Sequence, residues 1–328
     1  MHELAATGTS ASASAPAEHA TPPRRVVVHD PTETQAFEVL ERVAEDELRE
    51  RTLFAARPER EAFAAQHAAL VAALRAASVE VVRLGGVVGG HDLWRHAHGD
   101  PNQVYTRDPV ITLPWLAGWF VGGAMRTPIR RGEVALMGAA LQALGLRELF
   151  TMPAGCFLEG GDVIPFVRGG RRSLLVGFGP RSSRRGLDVL CERLLPWAAD
   201  EVVAIRLDDR RMNLDGVLVP VAADTVLAEP GSIETAFVRD RTGERAVDVL
   251  DLLRSDGMTV LEVTREESTA MQACNCVCLG GRRIVCYDLC ERVVDALGGC
   301  GIDVCTIPGS ELVKGTGGPR CMTRPLYV

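Results

Sequence analysis

With 328 residues the chain can hold one large domain or two ordinary ones, and its 47% apolar and 24% charged content is globular. No apolar run reaches the roughly 20 residues that cross a bilayer, and a net charge of −7 with only 5% aromatic residues argues against a nucleic-acid surface. Residues 1–24 are rich in Ala, Ser, Thr and Pro and lack an apolar secretory core, so they read as a disordered tail. The ten cysteines are too thinly spread for a disulfide scaffold and read as reduced thiols of a cytoplasmic protein.

Arg25 to Val28 is a short buried-strand run ended at Asp30-Pro31. Helical spacing follows from Glu33 to Ala77, divided into two helices near Pro58. Val79 to Leu84 alternates like a strand, and Gly85 to Pro101 reads as a loop with His91, His96 and His98. Val110 to Leu113 pairs with Trp119 to Gly123, and Arg130 to Leu144 is helical. Further on come a strand at Leu174 to Phe178, a helix at Arg184 to Leu195, and two strands, Val202 to Leu207 and Gly216 to Val221, expected to pair. A helix at Ala246 to Ser255, a strand at Met258 to Val263, a hairpin of Cys274 to Leu279 with Arg283 to Tyr287, a helix at Leu289 to Leu297 and a strand at Asp303 to Ile307 complete the series. Hairpin, helix and strand alternate, so the class is α/β; no composition break follows residue 24, and residues 25–328 read as one domain.

The stretch Gly315 to Val328 presents one cysteine, Cys321, on a corner made by Gly315, Gly317, Gly318 and Pro319. The glycines allow positive φ and close approach, and such a corner suits a thiol nucleophile in a partly exposed, electropositive setting. Three acidic motifs lie at strand ends or in loops: Thr106-Arg107-Asp108, Glu159-Gly160-Gly161-Asp162 and Asn213-Leu214-Asp215. Each alone could be turn capping. Cys274, Cys276 and Cys278 would span ~13 Å on a strand at ~3.3 Å per residue, too far to share one ion, so they read as buried small residues. Cys286 and Cys290 read as core residues one helical turn apart. The glycines from Gly85 to Gly90 lack the residues of a phosphate loop. The histidine loop has no established metal-ligand spacing, and no metal or cofactor is expected.

Together these residues resemble the guanidino-group-modifying superfamily of arginine deiminases, dimethylarginine hydrolases and amidinotransferases. Asn102 to Pro109 is similar to its TRDP segment, Glu159 to Asp162 to its EGGD, Gly317 to Pro325 to its GGPRCM ending, and Gln272 to Gly280 to one of its strands. The resemblance implies a five-bladed β/α propeller of ββαβ blades around a central channel. It also implies a small guanidinium substrate gripped by Asp108, Asp215 and Glu159, whose carboxylates suit a planar cation. Cys321 would attack the central carbon, its thiolate favoured by the bound charge, to give a thiouronium-type intermediate. Arg181 and Asn102 match positions that bind an amino-acid carboxylate, and Asp162 belongs to the same binding group.

Two positions depart from the pattern. The family's M-H-x-D reads Met212-Asn213-Leu214-Asp215, so Asn213 replaces a histidine that serves as acid and base, a role worth roughly 10²–10⁴-fold. Any substitute imidazole must come from His91, His96 or His98, since no histidine follows. Thr316 stands where deiminases carry an arginine, with Lys314 as a loose replacement. Three functions follow: a thiol-dependent hydrolase of arginine or an analogue, an amidinotransferase passing the group to an amine, and a guanidinium-binding protein without turnover. Homo-oligomers are left open.

Overall fold

The computed structural model describes residues 17–328; the remainder of the expected tail lies outside the described residues. The chain builds the same unit five times: two antiparallel strands, then a helix, then a third strand parallel to the second. In one sheet Val110–Ile111 pairs antiparallel with Trp119–Gly122, and Arg147–Thr151 returns parallel after the helix Gly132–Ala143. Val163–Arg168, Arg171–Phe178 and Glu201–Leu207 repeat this around the helix Arg184–Leu194. Val277–Gly280, Arg283–Tyr287 and Asp303–Ile307 do so around Glu291–Gly299. Leu218–Ala222, Thr225–Ala228 and Thr259–Glu262 form the fourth unit, around Val249–Ser255. The fifth joins distant parts of the chain: Arg25–Val28 is parallel to Glu80–Arg83 and antiparallel to Arg324–Leu326.

The helices form for ordinary reasons. Arg60–Ala76 starts at Glu59, whose carboxylate accepts from the Glu61 and Ala62 amides, and it buries Phe63, Leu70, Val71 and Leu74. Arg184–Leu194 is capped by Ser183 through the Gly186 amide and buries Leu187, Leu190 and Leu194.

Several expectations change. The paired run of Val202 and Gly216 does not exist: Glu201–Leu207 lies between Arg171–Phe178 and Ile233–Asp240, while Leu218–Ala222 opens the next sheet. Both strands are almost wholly buried, so their apolar pattern names no neighbour. Glu33 to Ala77 holds three α-helices, Ala36–Arg42, Leu48–Thr52 and Arg60–Ala76. The expected loop at Gly85 to Pro101 is largely helical, Leu84–Val88 and Arg95–Gly99, because Leu84, Val88 and Ala97 pack on the helix Gly132–Ala143. The helix expected from Ala246 begins only at Val249, after the strand Gly243–Val247. Cys274 and Cys276 precede their strand in a turn, and Cys286 lies on a strand with Cys290 at a helix start; all four are buried in one core cluster.

Residues 17–24 are not a loose tail. Ala17, Glu18 and His19 are buried, and Pro22 sits where a side chain on Gly280 would be. The apolar-poor composition concealed this because Glu18 is held by ion pairs, not by hydrophobic contact.

Candidate active site

Asp108 precedes the strand Val110–Ile111. Its Oδ2 accepts from Arg130 Nη1 at 2.8 Å and its Oδ1 from the Gly161 amide at 3.1 Å. Arg130 also grips Glu133 through two further bonds of 2.6 and 2.8 Å, and all three side chains are buried. Replacing Arg130 by methionine would strand two carboxylates, so a loss of about 3–5 kcal/mol is expected in urea unfolding.

Glu159, 0% exposed, accepts from the Arg126 amide at 3.3 Å and from Asn213 Nδ2 at 3.2 Å. Asp162 lies beside it, accepting from Asn213 Nδ2 at 3.1 Å, the Leu214 amide at 2.7 Å and Ser182 Oγ at 2.6 Å. Burial pushes the Asp162 carboxyl well above the usual range, and the charge of Glu159 adds to this. Gly160 lets the segment dock: a Cβ there would fall 2.6 Å from the Val110 carbonyl oxygen.

Cys321 is 8% exposed. Its Sγ lies 3.4 Å from Asp215 Oδ2 and accepts from Asn275 Nδ2 at 3.0 Å, while its amide donates to Asn275 Oδ1 at 3.0 Å. Asp215 Oδ2 also accepts from Arg320 Nη1 at 2.9 Å. The setting differs from the electropositive one expected. Burial, then Asp215 and Asp108, push the thiol well above its ordinary value, against the hydrogen bonds of Gly318 and Asn275. Burial likewise raises Asp215 despite Arg320.

The glycines beside Cys321 serve close approach only. A Cβ on Gly318 would meet Asn275 Oδ1 at 2.8 Å, yet the left-handed residue of this corner is Thr316, at φ 67°.

Two adjoining cavities meet at the sulfur. One of about 140 Å³ is lined by Asn213, Asp215, Asn275 and Cys321, with Arg49 and Arg210 among its other walls. One of about 30 Å³ is lined by Asn102, Tyr105, Asp108, Arg130, Arg181 and Cys321. Met212, Asn213 and Thr316 border both. Arg181 Nη1 is buried without a hydrogen bond, 3.6 Å from Glu159 Oε2. Asn102 is fixed by Asp100, which accepts from its amide and its side chain at 2.9 Å each.

Cys321 and Asn213 therefore line both cavities, Asp215 the larger, and Asp108, Asn102 and Arg181 the smaller. Glu159 and Asp162 stand behind Asn213 and line neither cavity. Lys314 lies outside both and pairs with Glu311 at 2.7 Å. Among the described residues no histidine lines either cavity. His91 caps a 3₁₀ turn through the Leu93 amide, His96 packs under Gly132, and His98 meets the edge of Trp94. Among the described residues no cluster of three His, Cys, Asp or Glu side chains could hold a metal ion. Sequence reasoning missed Asn275, Arg130 and Arg320 as site residues; Asn275 stood in a quoted motif, and Arg320 adjoins the cysteine.

Cys321 thus lies buried near carboxylates carried by separate units of a repeating α/β frame. The arginine deiminase family matches residues 97–327, and the chain belongs to that family, within the guanidino-group-modifying superfamily. It is 29% identical over 253 residues to an arginine deiminase of Mycobacterium marinum, covering 69% of this chain and 60% of that protein. With an arginine deiminase of Mycoplasma capricolum it shares 28% over 193 residues, 52% of this chain and 47% of that protein. The chain thus spans about 60% or less of the length of these relatives.

Among solved structures, the N-terminal domain of ArgZ, a cyanobacterial arginine dihydrolase bound to product, superposes with TM-score 0.68 at 20% identity, covering 92% of this chain and 96% of that one. A cysteine-to-serine mutant of DDAH from Pseudomonas aeruginosa, complexed with citrulline, gives 0.67 at 17%, covering 94% of this chain and 100% of that one. These likenesses concern the fold: mixed α/β with several small sheets.

Proposed function

We propose that the protein is a thiol-dependent hydrolase of the guanidine group of arginine or an arginine analogue. The observation that carries this is Asp215 Oδ2 lying 3.4 Å from the sulfur of Cys321, a residue that lines both the cavity bordered by Asp215 and the one bordered by Asp108. We take the five ββαβ units as the blades of one propeller spanning residues 25–328, with the site where strand ends converge.

A bound guanidinium would face Asp215 and Asp108 and add a positive charge beside a thiol that burial and those carboxylates now hold protonated. The thiol proton passes to Asp215, the acceptor already in contact, and the thiolate attacks the central carbon. Asp215 returns that proton to the departing nitrogen. Loss of ammonia leaves a cationic amidino group on sulfur. Asp215 takes a proton from the incoming water and passes it to the departing sulfur, the remaining proton leaves with ammonia as ammonium, and the urea product and free thiol result. Asn213, held by Glu159 and Asp162, orients one face of the group but carries no proton of its own to exchange. Arg181, whose Nη1 among the described residues makes no hydrogen bond and pairs only with Glu159 at 3.6 Å, would receive a substrate carboxylate.

Incubation with arginine is expected to release ammonia and citrulline in equal amounts; product only on adding an amine would instead indicate amidino transfer. Because Asp215 takes the thiol proton and returns it to the leaving nitrogen, the reacting pair is the thiol and the Asp215 carboxylate, both raised by burial, so kcat/KM should fall in acid as Asp215 is protonated and level off toward neutral pH. A rate still climbing tenfold per unit at alkaline pH would make a preformed thiolate the nucleophile and remove Asp215 as its base. A second reading, a guanidinium-binding protein without turnover, is favoured by Asn213 lining both cavities with no imidazole beside it among the described residues. Saturable arginine binding with neither product would establish it.

A further inference from the structure

Glu18 has no part in the mechanism above, yet it is 7% exposed and lies two ion pairs from the nucleophile. Its Oε1 accepts from Arg107 Nη1 at 2.9 Å and its Oε2 from Arg320 Nη2 at 3.0 Å. The opposite arm of the same Arg320 guanidinium, Nη1, donates to Asp215 Oδ2, the oxygen that touches Cys321. Asp215 Oδ1 takes no hydrogen bond among the described residues, and Asp215 lines the larger cavity. Arg324 completes the cluster, bonding to the Arg107 carbonyl and to Thr112 Oγ1.

Three buried guanidinium groups therefore face two carboxylates, Glu18 and Asp215. Burial would raise the Glu18 carboxyl, but Arg107, Arg320 and Arg324 outweigh it and hold it at about 2. His19, Cys278 and Tyr327 are the other titratable groups that feel its charge, and each is neutral near pH 7: burial lowers His19 to about 4, raises Cys278 to about 12 and raises Tyr327 further. Glu18 is thus a fixed negative charge across the working pH range.

We propose that Glu18 is a positioning residue of the active site: it shares Arg320 with Asp215, so that Arg320 engages only one Asp215 oxygen and the other remains for the guanidinium ligand. Without that charge, Arg320 and Arg107 have Asp215 as their remaining carboxylate and draw on it more strongly. Asp215 then attracts an incoming cation less, and the sulfur feels a more positive surround. This inference rests on the guanidinium reading for its ligand, but its test does not require turnover.

The test measures iodoacetamide alkylation of Cys321 against pH, read by mass spectrometry of its peptide, together with calorimetric titration of arginine. Wild type, Glu18→Gln, Arg107→Met and the double variant are compared. Glu18→Gln should move the alkylation limb to lower pH, with roughly threefold faster reaction at a fixed pH below it, and weaken arginine binding roughly tenfold. Arg107→Met should move the limb to higher pH, and the double variant should return both quantities toward wild type. A purely structural role would lower the unfolding midpoint and leave limb and affinity unmoved, which would overturn the proposal. Should Glu18→Gln not fold, an unmoved limb in Arg107→Met does so. If wild type neither binds nor hydrolyses arginine while the limb still shifts, the functional reading fails and the role of Glu18 stands.

Discussion

Cys321→Ala should abolish product formation from arginine, a loss of at least about 10⁴-fold, while guanidinium binding persists within a few-fold. Turnover in the proposed scheme needs a covalent bond to this sulfur, and no other cysteine lines either cavity. Binding in that scheme depends instead on Asp215 and Asp108. Asp108 is held by the Gly161 amide and Arg130, which the substitution leaves in place. Removing the sulfur also relieves Asp215 of an S–H contact, so affinity for the cation should rise if it moves at all. Calorimetry of the variant with arginine, beside an ammonia assay, checks both halves. Residual turnover near the wild-type rate would exclude Cys321 as the nucleophile.

Asn213→His should raise hydrolysis by roughly 10²–10⁴-fold, the usual worth of a general acid and base. The position already lies beside two carboxylates that could hold a charged ring. Asn213 Nδ2 is held between Glu159 Oε2 and Asp162 Oδ2 at 3.2 and 3.1 Å, and the side chain borders both cavities. An imidazole donating one N–H to Glu159 would turn its other nitrogen toward the substrate, and the neighbouring carboxylate would favour its charged form. The rate profile should then gain a limb near neutrality that wild type lacks. Steady-state rates from pH 5.5 to 9 decide this. An unchanged rate and profile would mean that the loop from Met212 to Asp215 serves chemistry in which an amide suffices.

Much of the frame was legible because hairpin, helix and strand are local objects. The Val110 and Trp119 strands pair by alternation, and the Arg184 helix declares itself through Ser183 and its apolar stripe. Where patterning gave no direction, the reading slipped. Glu201–Leu207 and Leu218–Ala222 are apolar on both faces, so either could neighbour any strand. The helices between Leu84 and Gly99 form on glycine-rich sequence because packing against Gly132–Ala143 outweighs weak propensity.

The sequence by itself determined the reactive inventory: one cysteine beside a glycine turn, acids in three short motifs, and an asparagine in place of a histidine. It also carried the family. Only the tertiary structure decided that Asn275 would clamp the Cys321 sulfur from 46 positions away, that Glu18 would reach Arg320 across 302, and that the thiol would be raised rather than lowered. Propensity and periodicity act over a few residues, whereas these contacts exist only once the separate sheets have closed around one another. The ionisation of a buried group follows from everything packed against it, and that is fixed last.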